Sequence, residues 1–333
     1  MNQPLVSIIV PTFNDGPTLE TCIRSLFAQT WSNLEVIVIN DSSTDGTLER
    51  LHRLSEEFLY LRYDSTVQKR GPGWARNLGF AMAEGEIIAL IDGDMWAPPE
   101  WVEQLVEPIL RDEVDVTGGP DKVPATSPLE SRCIGYSMDS VLTNGGLRLG
   151  DSKLVTYLPG TGNMAIRRSM LEQAGHFDVA FHDTGEDKEW LHRVKASGGR
   201  FAYLSHALAW HERKPDILLH AKKQILSGRR RFDIWEKDPA SFEFPHLAPS
   251  LLILFLLTVV WIPPIRWMWW LVLVTGAGLV FIDCWKGARE LGEPKAFFLL
   301  VFTSCIIPFG YGFGILWRAV ERLSQRLLGA KTP

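Results

Sequence analysis

Cysteine is scarce in this chain. Its four cysteines, Cys22, Cys133, Cys284 and Cys305, are spread over 333 residues and form no CxxC pair or Cys/His cluster. This argues against a structural zinc and a disulfide framework, and fits a reducing compartment. Basic charge is also short over most of the length: residues 1–245 carry 26 Lys and Arg against 35 Asp and Glu. Only residues 246–333 are net basic, with 8 against 4. A basic, apolar tail on an acidic globule suits a membrane surface and speaks against nucleic acid as a partner. No leader is expected, because Met1 to Pro4 is too short for a charged and apolar signal before the first strand. The globular part is therefore expected in the cytosol. No GxGxxG follows the first apolar run, where Pro11-Thr12-Phe13-Asn14 stands instead, which excludes a dinucleotide-binding dehydrogenase. Gly71-Pro72-Gly73-Trp74-Ala75-Arg76 imitates the start of that motif and lacks its third glycine. A nucleotidyltransferase would need a Gly-rich basic triphosphate loop near the same place, and none is present.

What the chain does have is apolar, β-rich runs regularly separated by helical patterns. Leu5–Val10, Leu34–Asn40, Phe58–Tyr63 and Glu86–Ile91 read as strands, alternating with helices near 17–29, 44–57, 73–83 and 98–110. Such alternation predicts an α/β domain, a mostly parallel sheet with helices on both faces. Pro17 can open the first helix, and Thr44 with Thr47 can help cap the second. Val114–Thr117, Asn163–Arg167 and Phe201–Tyr203 are expected as later strands and Glu186–Ala196 as a helix. The Pro/Gly/Ser-rich stretch 118–163 is expected to form loops that close over a site.

Ligands on parallel sheets gather beyond the carboxyl ends of the strands. Those ends read Pro11-Thr12-Phe13-Asn14, Asn40-Asp41-Ser42-Ser43 and Asp92-Gly93-Asp94. The last is the most informative. Two carboxylates one residue apart, behind the apolar run ending at Ile91, can hold a hard cation that bridges to phosphate, as a nucleotide-sugar diphosphate requires. A lone DxD is as readily a solvated turn. Asp41 can accept an imide N–H from uracil or an N–H of another base, and otherwise neighbours a helix N-cap.

From Leu247 the composition changes. Leu247–Ile262, Trp267–Ile282 and Ala296–Trp317 are apolar blocks with tryptophans near their ends, as at membrane interfaces. The first two are shorter than the ~20 residues a crossing helix needs, so a tilted pair or a re-entrant hairpin is expected. The third is long enough, with Pro308, Gly310, Gly312 and Gly314 as candidate kinks. The expected division is a catalytic domain over 1–245 and a membrane region of two or three helices over 246–333. With the globule in the cytosol, a third full crossing would put Arg318, Arg322, Arg326 and Lys331 outside, against the positive-inside rule. Lys222, Lys223, Arg229, Arg230 and Arg231, just ahead of these blocks, read either as a phosphate clamp for a polyprenyl-linked acceptor or as a patch for anionic lipid.

Several motifs follow in one order: Pro11-Thr12-Phe13-Asn14, Asn40-Asp41-Ser42-Ser43-Thr44-Asp45-Gly46-Thr47, Ala75-Arg76-Asn77, Asp92-Gly93-Asp94, Gly160-Thr161-Gly162-Asn163, Gly185-Glu186-Asp187 and Trp210-His211. Together they resemble the family 2 glycosyltransferases over roughly residues 5–230. The stretch from Gly160 through Gly175-His176-Phe177-Asp178 to His211, with Gly228-Arg229 and a tail containing Tyr311-Gly312-Phe313-Gly314, looks most like the membrane-anchored exopolysaccharide branch. The resemblance implies a GT-A fold and inverting transfer of a sugar, a UDP-sugar favoured, to a saccharide or polyprenyl-linked acceptor, at the cytoplasmic side of the inner cell membrane. It implies Mn²⁺ or Mg²⁺ bound directly by Asp94, with Asp92 acting through ribose or water and His211 beside metal and diphosphate. An imidazole suits Mn²⁺ better than Mg²⁺.

Pro11, Thr12, Phe13 and Asn14 would line base and ribose, with the Phe13 ring as a stacking face. Arg76 would reach the diphosphate or the base. Gly162 and Asn163 would give close backbone approach to sugar or acceptor. Asp187, at the start of a helix whose free N–H groups favour its ionised form, is the expected base, and Glu186 beside it is expected to fix the loop. The chain departs from its relatives in having Asn40-Asp41-Ser42-Ser43 for their Asp-Asp-Gly-Ser, and Phe13 for a Tyr. The competing non-enzymatic reading is a membrane-tethered glycan or lipid binder descended from a transferase; intact Asp94 and Asp187 oppose it.

Overall fold

Valine- and isoleucine-rich runs become strands here because helices bury both of their faces. A computed structural model of the protein describes residues 3–144, 157–182 and 184–328 and divides into two compact units, Met1–Pro124 with Tyr157–Glu212, and Ala125–Thr156 with Arg213–Pro333. In chain order the first unit begins β1 (Val6–Thr12), α1 (Gly16–Phe27), β2 (Leu34–Asn40), α2 (Thr47–Glu57), β3 (Leu61–Ser65) and α3 (Pro72–Met82). It continues with β4 (Ile87–Ile91), β5 (Met95–Trp96), α4 (Trp101–Leu110), β6 (Val116–Gly118) and β7 (Asp121–Lys122). Helices α5 (Leu129–Asp139) and α6 (Val141–Asn144) belong to the second unit. The first unit resumes with β8 (Asn163–Arg167), α7 (Arg168–Ala174), α8 (Glu186–Ala196), β9 (Phe201–Tyr203) and β10 (Ala209–His211). The second ends with α9 (Ile217–Lys237), α10 (Ala248–Thr258), α11 (Arg266–Glu290) and α12 (Ala296–Leu327).

Seven strands form one sheet in the order β3-β2-β1-β4-β8-β6-β9, parallel except for β8, which runs antiparallel to β4 and β6. Alternation along β1 divides the core. Val6, Ile8 and Val10 pack with Leu19, Ile23, Trp101 and Leu105, whereas Ile9 packs with Ala75, Phe80, Trp190 and Leu191. The expected α/β class with a mostly parallel sheet covered on both faces is therefore what the chain forms. A second, three-stranded sheet, β5-β10-β7, is built from strands of two or three residues.

Four expectations need correction. The third strand starts at Leu61, not Phe58, because Phe58 ends α2, donating its N–H to Leu54 O at 2.9 Å, and its ring stacks on Phe27 at 4.3 Å. Thr44 does not cap α2: its N–H goes to Asn14 Oδ1, and Asp45 Oδ1 receives both the N–H and the hydroxyl of Thr47. The stretch 118–163 is not all loop, since it contains α5; residues 145–156 within it lie outside the described residues. The second apolar block is not short, because helix α11 runs on for 25 residues, about 37 Å at 1.5 Å per residue.

Among the described residues of the second unit three helices are long and apolar enough to cross a membrane, Phe244–Trp261, Pro263–Glu290 and Ala296–Leu327. Helix α12 passes through Pro308 without interruption. Its glycines serve contact: a Cβ on Gly314 would lie 2.1 Å from Ile225 O, and one on Gly228 of α9 would lie 2.0 Å from Tyr311 O. Small residues allow the two backbones this approach. Ion pairs continue the α9–α12 seam: Arg229–Glu321 at 2.9 Å, Asp233–Arg318 at 2.7 Å and Glu236–Arg322 at 2.8 Å. Arg230 pairs with Asp233 and Arg231 donates to Tyr311 Oη, so three of the five basic residues ahead of the apolar blocks have partners inside this unit. Lys222 and Lys223 are exposed, and Lys331 lies outside the described residues.

Candidate active site

The carboxyl ends of β1, β2 and β4 are tied together by backbone bonds. Thr12 O accepts from Asp41 N at 2.9 Å and Pro11 O from Gly93 N at 3.2 Å. Asp15 fixes the turn after β1, receiving the Thr12 hydroxyl at 2.9 Å and the Phe13 N–H at 3.1 Å. Asn14 takes a left-handed conformation, φ 55°, and its N–H reaches Ser43 Oγ, clasping the turn after β2. The Phe13 ring lies under Lys69, whose Nζ is 3.8 Å from the ring centroid.

Asp41 is buried and organises the entry to α3. Its Oδ1 accepts from Thr66 Oγ1 and Arg70 N, its Oδ2 from Gly71 N at 2.7 Å. Gly71 has φ +91°, and a Cβ there would sit 2.0 Å from His182 O, so only glycine fits the turn. One helical turn later comes Arg76, its side chain 4% exposed. Its Nη2 reaches Asp92 Oδ1 and its Nη1 reaches Glu186 Oε1, both at 2.9 Å, with Phe177 against the guanidinium. Burial alone would lower its pKa, but the charges of Asp92 and Glu186 outweigh burial and raise it.

Glu186 and Asp187 open α8 behind Gly185, φ +91°, with a third acid, Glu189, in the same first turn, where free N–H groups favour negative charge. For Glu186, burial and then the neighbouring charge of Asp187 outweigh its share of Arg76, and its carboxyl is pushed up to about 7. Asp187 bonds to its neighbour Lys188. Its Oδ1 accepts from Lys188 N, and its Oδ2 lies 3.8 Å from Lys188 Nζ, which also donates to Leu158 O and Pro159 O.

A second chain of side chains starts at Asp94. Pairing of β5 with β10 sets His211 opposite Met95, and His211 Nε2 is 3.3 Å from Asp94 Oδ2. On the other side of the ring, Nδ1 is 3.0 Å from Asp121 Oδ2, because β10 also pairs with β7. Asp92, Asp94 and Asp15 are close enough to act together on buried Cys22, whose thiol is pushed well above its usual range by burial and then by these three charges. A side chain at Gly162 would come within 2.8 Å of the Asp92 carboxylate.

Asp92, Arg76 and Glu186 are thus joined by contact, with Asp187 next in sequence, and Asp94 meets His211. Asn163 stays apart. Its amide is buried and fully engaged, accepting from Trp101 Nε1 at 2.7 Å and donating to Pro120 O and Ala207 O. Sequence reasoning missed Asp15, Lys69 and Asp121. A turn aspartate three residues past a strand was a usable signal for Asp15; nothing local marks Asp121.

The donor set also bears on a metal. Among the described residues no three His, Cys, Asp or Glu side chains converge into a protein-only cage. Asp94 and His211 instead present one oxygen and one nitrogen to the same space, with Asp121 on the ring nitrogen away from it. A carboxylate behind a ligating histidine is the usual outer-shell arrangement, and two protein ligands plus phosphate oxygens are a common divalent set. The residues fit such an ion.

Residues 7–175, just over half the chain, match Glycosyl transferase family 2. The chain belongs to the family 2 glycosyltransferases. This glycosyltransferase is 28% identical over 242 residues to glycosyltransferase AglE of Haloferax volcanii, a match covering 72% of this chain and 76% of AglE. It is 37% identical over 111 residues to the uncharacterized glycosyltransferase YibD of Escherichia coli K12, covering 33% of this chain and 32% of YibD. The hyaluronan synthase of Pasteurella multocida is 30% identical over 245 residues, 63% of this chain and 25% of that protein. The chain thus spans about three quarters of AglE but a third or less of the other two. Among solved structures it resembles the mannosyltransferase PcManGT from Pyrobaculum calidifontis, in complex with GDP-Man and Mn²⁺, with TM-score 0.59, 18% identity, and coverage of 99% and 89% of the two chains. At that identity the likeness is one of fold, and it makes the first unit of this glycosyltransferase a GT-A fold.

Proposed function

We propose that this glycosyltransferase moves a sugar with inversion from a nucleotide-diphosphate donor to a lipid-linked or growing surface saccharide, using a divalent metal, at the cytoplasmic face of the inner membrane. The observation that carries this reading is the Arg76 bridge. It couples Asp92, two residues from Asp94, to Glu186, the neighbour of Asp187, so that the diphosphate end and the acceptor end of a reaction share one buried cation.

In this reading Asp94 and His211 hold the metal, which when bound supplies positive charge for the departing diphosphate. Mn²⁺ accords with the imidazole, and PcManGT was solved with that ion. Pro11 to Asn14 line base and ribose; Lys69 leaves the Phe13 face when the base stacks there. Asp41 has three of its roughly four lone-pair sites engaged with the 66–71 loop, leaving one for a base N–H. Arg76, with both terminal nitrogens on carboxylates, acts by holding Asp92 and Glu186 in place. Gly162 leaves the Asp92 carboxylate open toward the ribose. Asp187 accepts the proton of the acceptor hydroxyl as that oxygen bonds to C1 and the C1–O bond to the diphosphate breaks on the opposite side. Lys188, tethered to two carbonyls, keeps Asp187 aimed.

A donor screen with the purified full chain in detergent, offering UDP- and GDP-sugars with and without Mn²⁺, tests the proposal. Asp187→Asn is expected to cut turnover by about 10²–10⁴ while donor binding persists, which is the share a general base supplies. Unchanged turnover would remove Asp187 from the base role. Asp94→Ala is expected to abolish Mn²⁺-dependent nucleotide binding, and Asp121→Asn to weaken Mn²⁺ by about 10–100-fold.

A further inference from the structure

We propose that α12 lies flat in the membrane interface instead of crossing the bilayer, leaving the α10–α11 hairpin as the inserted element. This rests on the membrane association read from the three apolar helices. Helix α12 spans 32 residues, about 48 Å, against a hydrocarbon core of about 30 Å. Its two faces differ along that whole length. Phe298, Phe302, Phe309, Phe313, Trp317 and Val320 are between 40% and 72% exposed, and at 3.6 residues per turn they fall within an arc about 100° wide. Leu300, Thr303, Ser304, Ile307 and Gly314 are buried on the opposite face.

That opposite face packs on α5 near its start and on α9 over its later half, with Ser250 of α10 bonded to Gly312 O and Cys284 and Ala288 of α11 clustered with Leu300. Near its start, Ser137 of α5 bonds Thr303 and Cys133 Sγ approaches Ala296 O. From Gly310 onward α9 runs beside it, and α9 carries eight charged side chains in 21 residues. A crossing α12 would take those charges into the hydrocarbon with it. A single exposed apolar stripe on a helix whose other side is packed against charged α9 suits a position in the headgroup plane. Helix α11 is different in kind: Trp267, Met268, Leu271, Leu273, Leu279 and Phe281 are exposed around most of its circumference, and its apolar window has no buried residue. Its surface joins the α12 stripe at the turn carrying exposed Lys286, Arg289 and Lys295, which suit anionic headgroups. With α12 in the plane, Arg318, Arg322 and Arg326 stay on the side of α9, and the conflict with the positive-inside rule disappears.

The test uses the full chain in phosphatidylethanolamine/phosphatidylglycerol vesicles, with Cys305→Ser to remove the one cysteine that is not buried. Nitroxides are placed singly by Phe298→Cys, Phe309→Cys, Val320→Cys on α12 and Val274→Cys on α11, and depth is read from oxygen against nickel-chelate accessibility. The expected result is one shallow, equal depth at the three α12 positions and a deeper one at residue 274. A C-terminal tag is expected on the same side as an N-terminal tag in protease-treated vesicles. A profile deepest at residue 309 and shallow at 298 and 320, or tags on opposite sides, would overturn the proposal. Water-like accessibility at the α12 positions with a deep signal at residue 274 would also overturn it. Water-like signals at all four would sink the membrane reading itself.

Discussion

Glu186 is a residue of the candidate site whose carboxyl the fold moves toward neutral pH. Its carboxyl, ordinarily near 4.5, is pushed up to about 7 in the fold. A raised pKa means that folding favours the protonated acid. The resulting stability is full below the unfolded pKa of about 4.5 and is lost as pH climbs through about 7. Glu186→Gln keeps a neutral partner for Arg76 and cannot titrate. The melting temperature of the natural chain relative to this variant is therefore expected to fall between pH 5 and 8, by up to about 3 kcal/mol in free-energy terms. A flat or rising difference would show that Arg76 holds Glu186 ionised throughout. At this scale the sequence is readable where chemistry coincides with an element's end: Asp92 and Asp94 follow an apolar run, and Glu186 and Asp187 follow a glycine. It is silent where a side chain acts through a fold-made neighbour. Asp121 meets His211 only because two short strands pair, and Arg76 turns from a ligand candidate into a bridge because two carboxylates from distant segments close on it.

Among elements, β2, β8, β9 and α8 begin and end at the residues the pattern predicts: β2 is a long apolar run, and α8 opens behind a glycine with acids in its first turn and closes with bases in its last. The third strand slips because an aromatic stack captures Phe58. The tail was harder to read, because glycines and a proline in an apolar helix suggest kinks, whereas here the glycines are contact points. That distinction is testable. Gly228→Ala puts a methyl where Tyr311 O lies 2.0 Å away, so α9 and α12 must separate, at a cost of about 1–3 kcal/mol. Gly276→Ala on α11 meets nothing within 4 Å and improves helix propensity, a neutral change or a gain of up to about 1 kcal/mol. Thermal unfolding of both variants in detergent, side by side, separates the two roles; equal melting temperatures would mean that the α9–α12 seam carries little of the stability.

At the scale of the whole molecule, the break in composition and the break in packing fall at different places. Composition changes near residue 246, but the second compact unit draws α5 and α9 from before that point and joins them to α10–α12. Helix α5 is held by Arg132–Glu293, by Tyr136 Oη donating to Asp283 O at 3.1 Å, and by a shared cluster of Cys133, Cys284, Ala288, Ala296 and Leu300. Helix α9 is held by its glycine contact and by ion pairs to Arg318, Glu321 and Arg322. A chain ending at Pro245 would keep both helices and lose α10–α12, leaving Asp233 and Glu236 without Arg318 and Arg322, and exposing apolar surface around Cys133 and Ile225. Removing one side of such a seam costs more than its contacts alone, since charged groups lose their partners as well. The shortened chain is therefore expected to elute from size exclusion as aggregate or to need detergent, even though its sheet is complete. A monodisperse, detergent-free monomer would show that α5 and α9 do not need the tail to stay soluble.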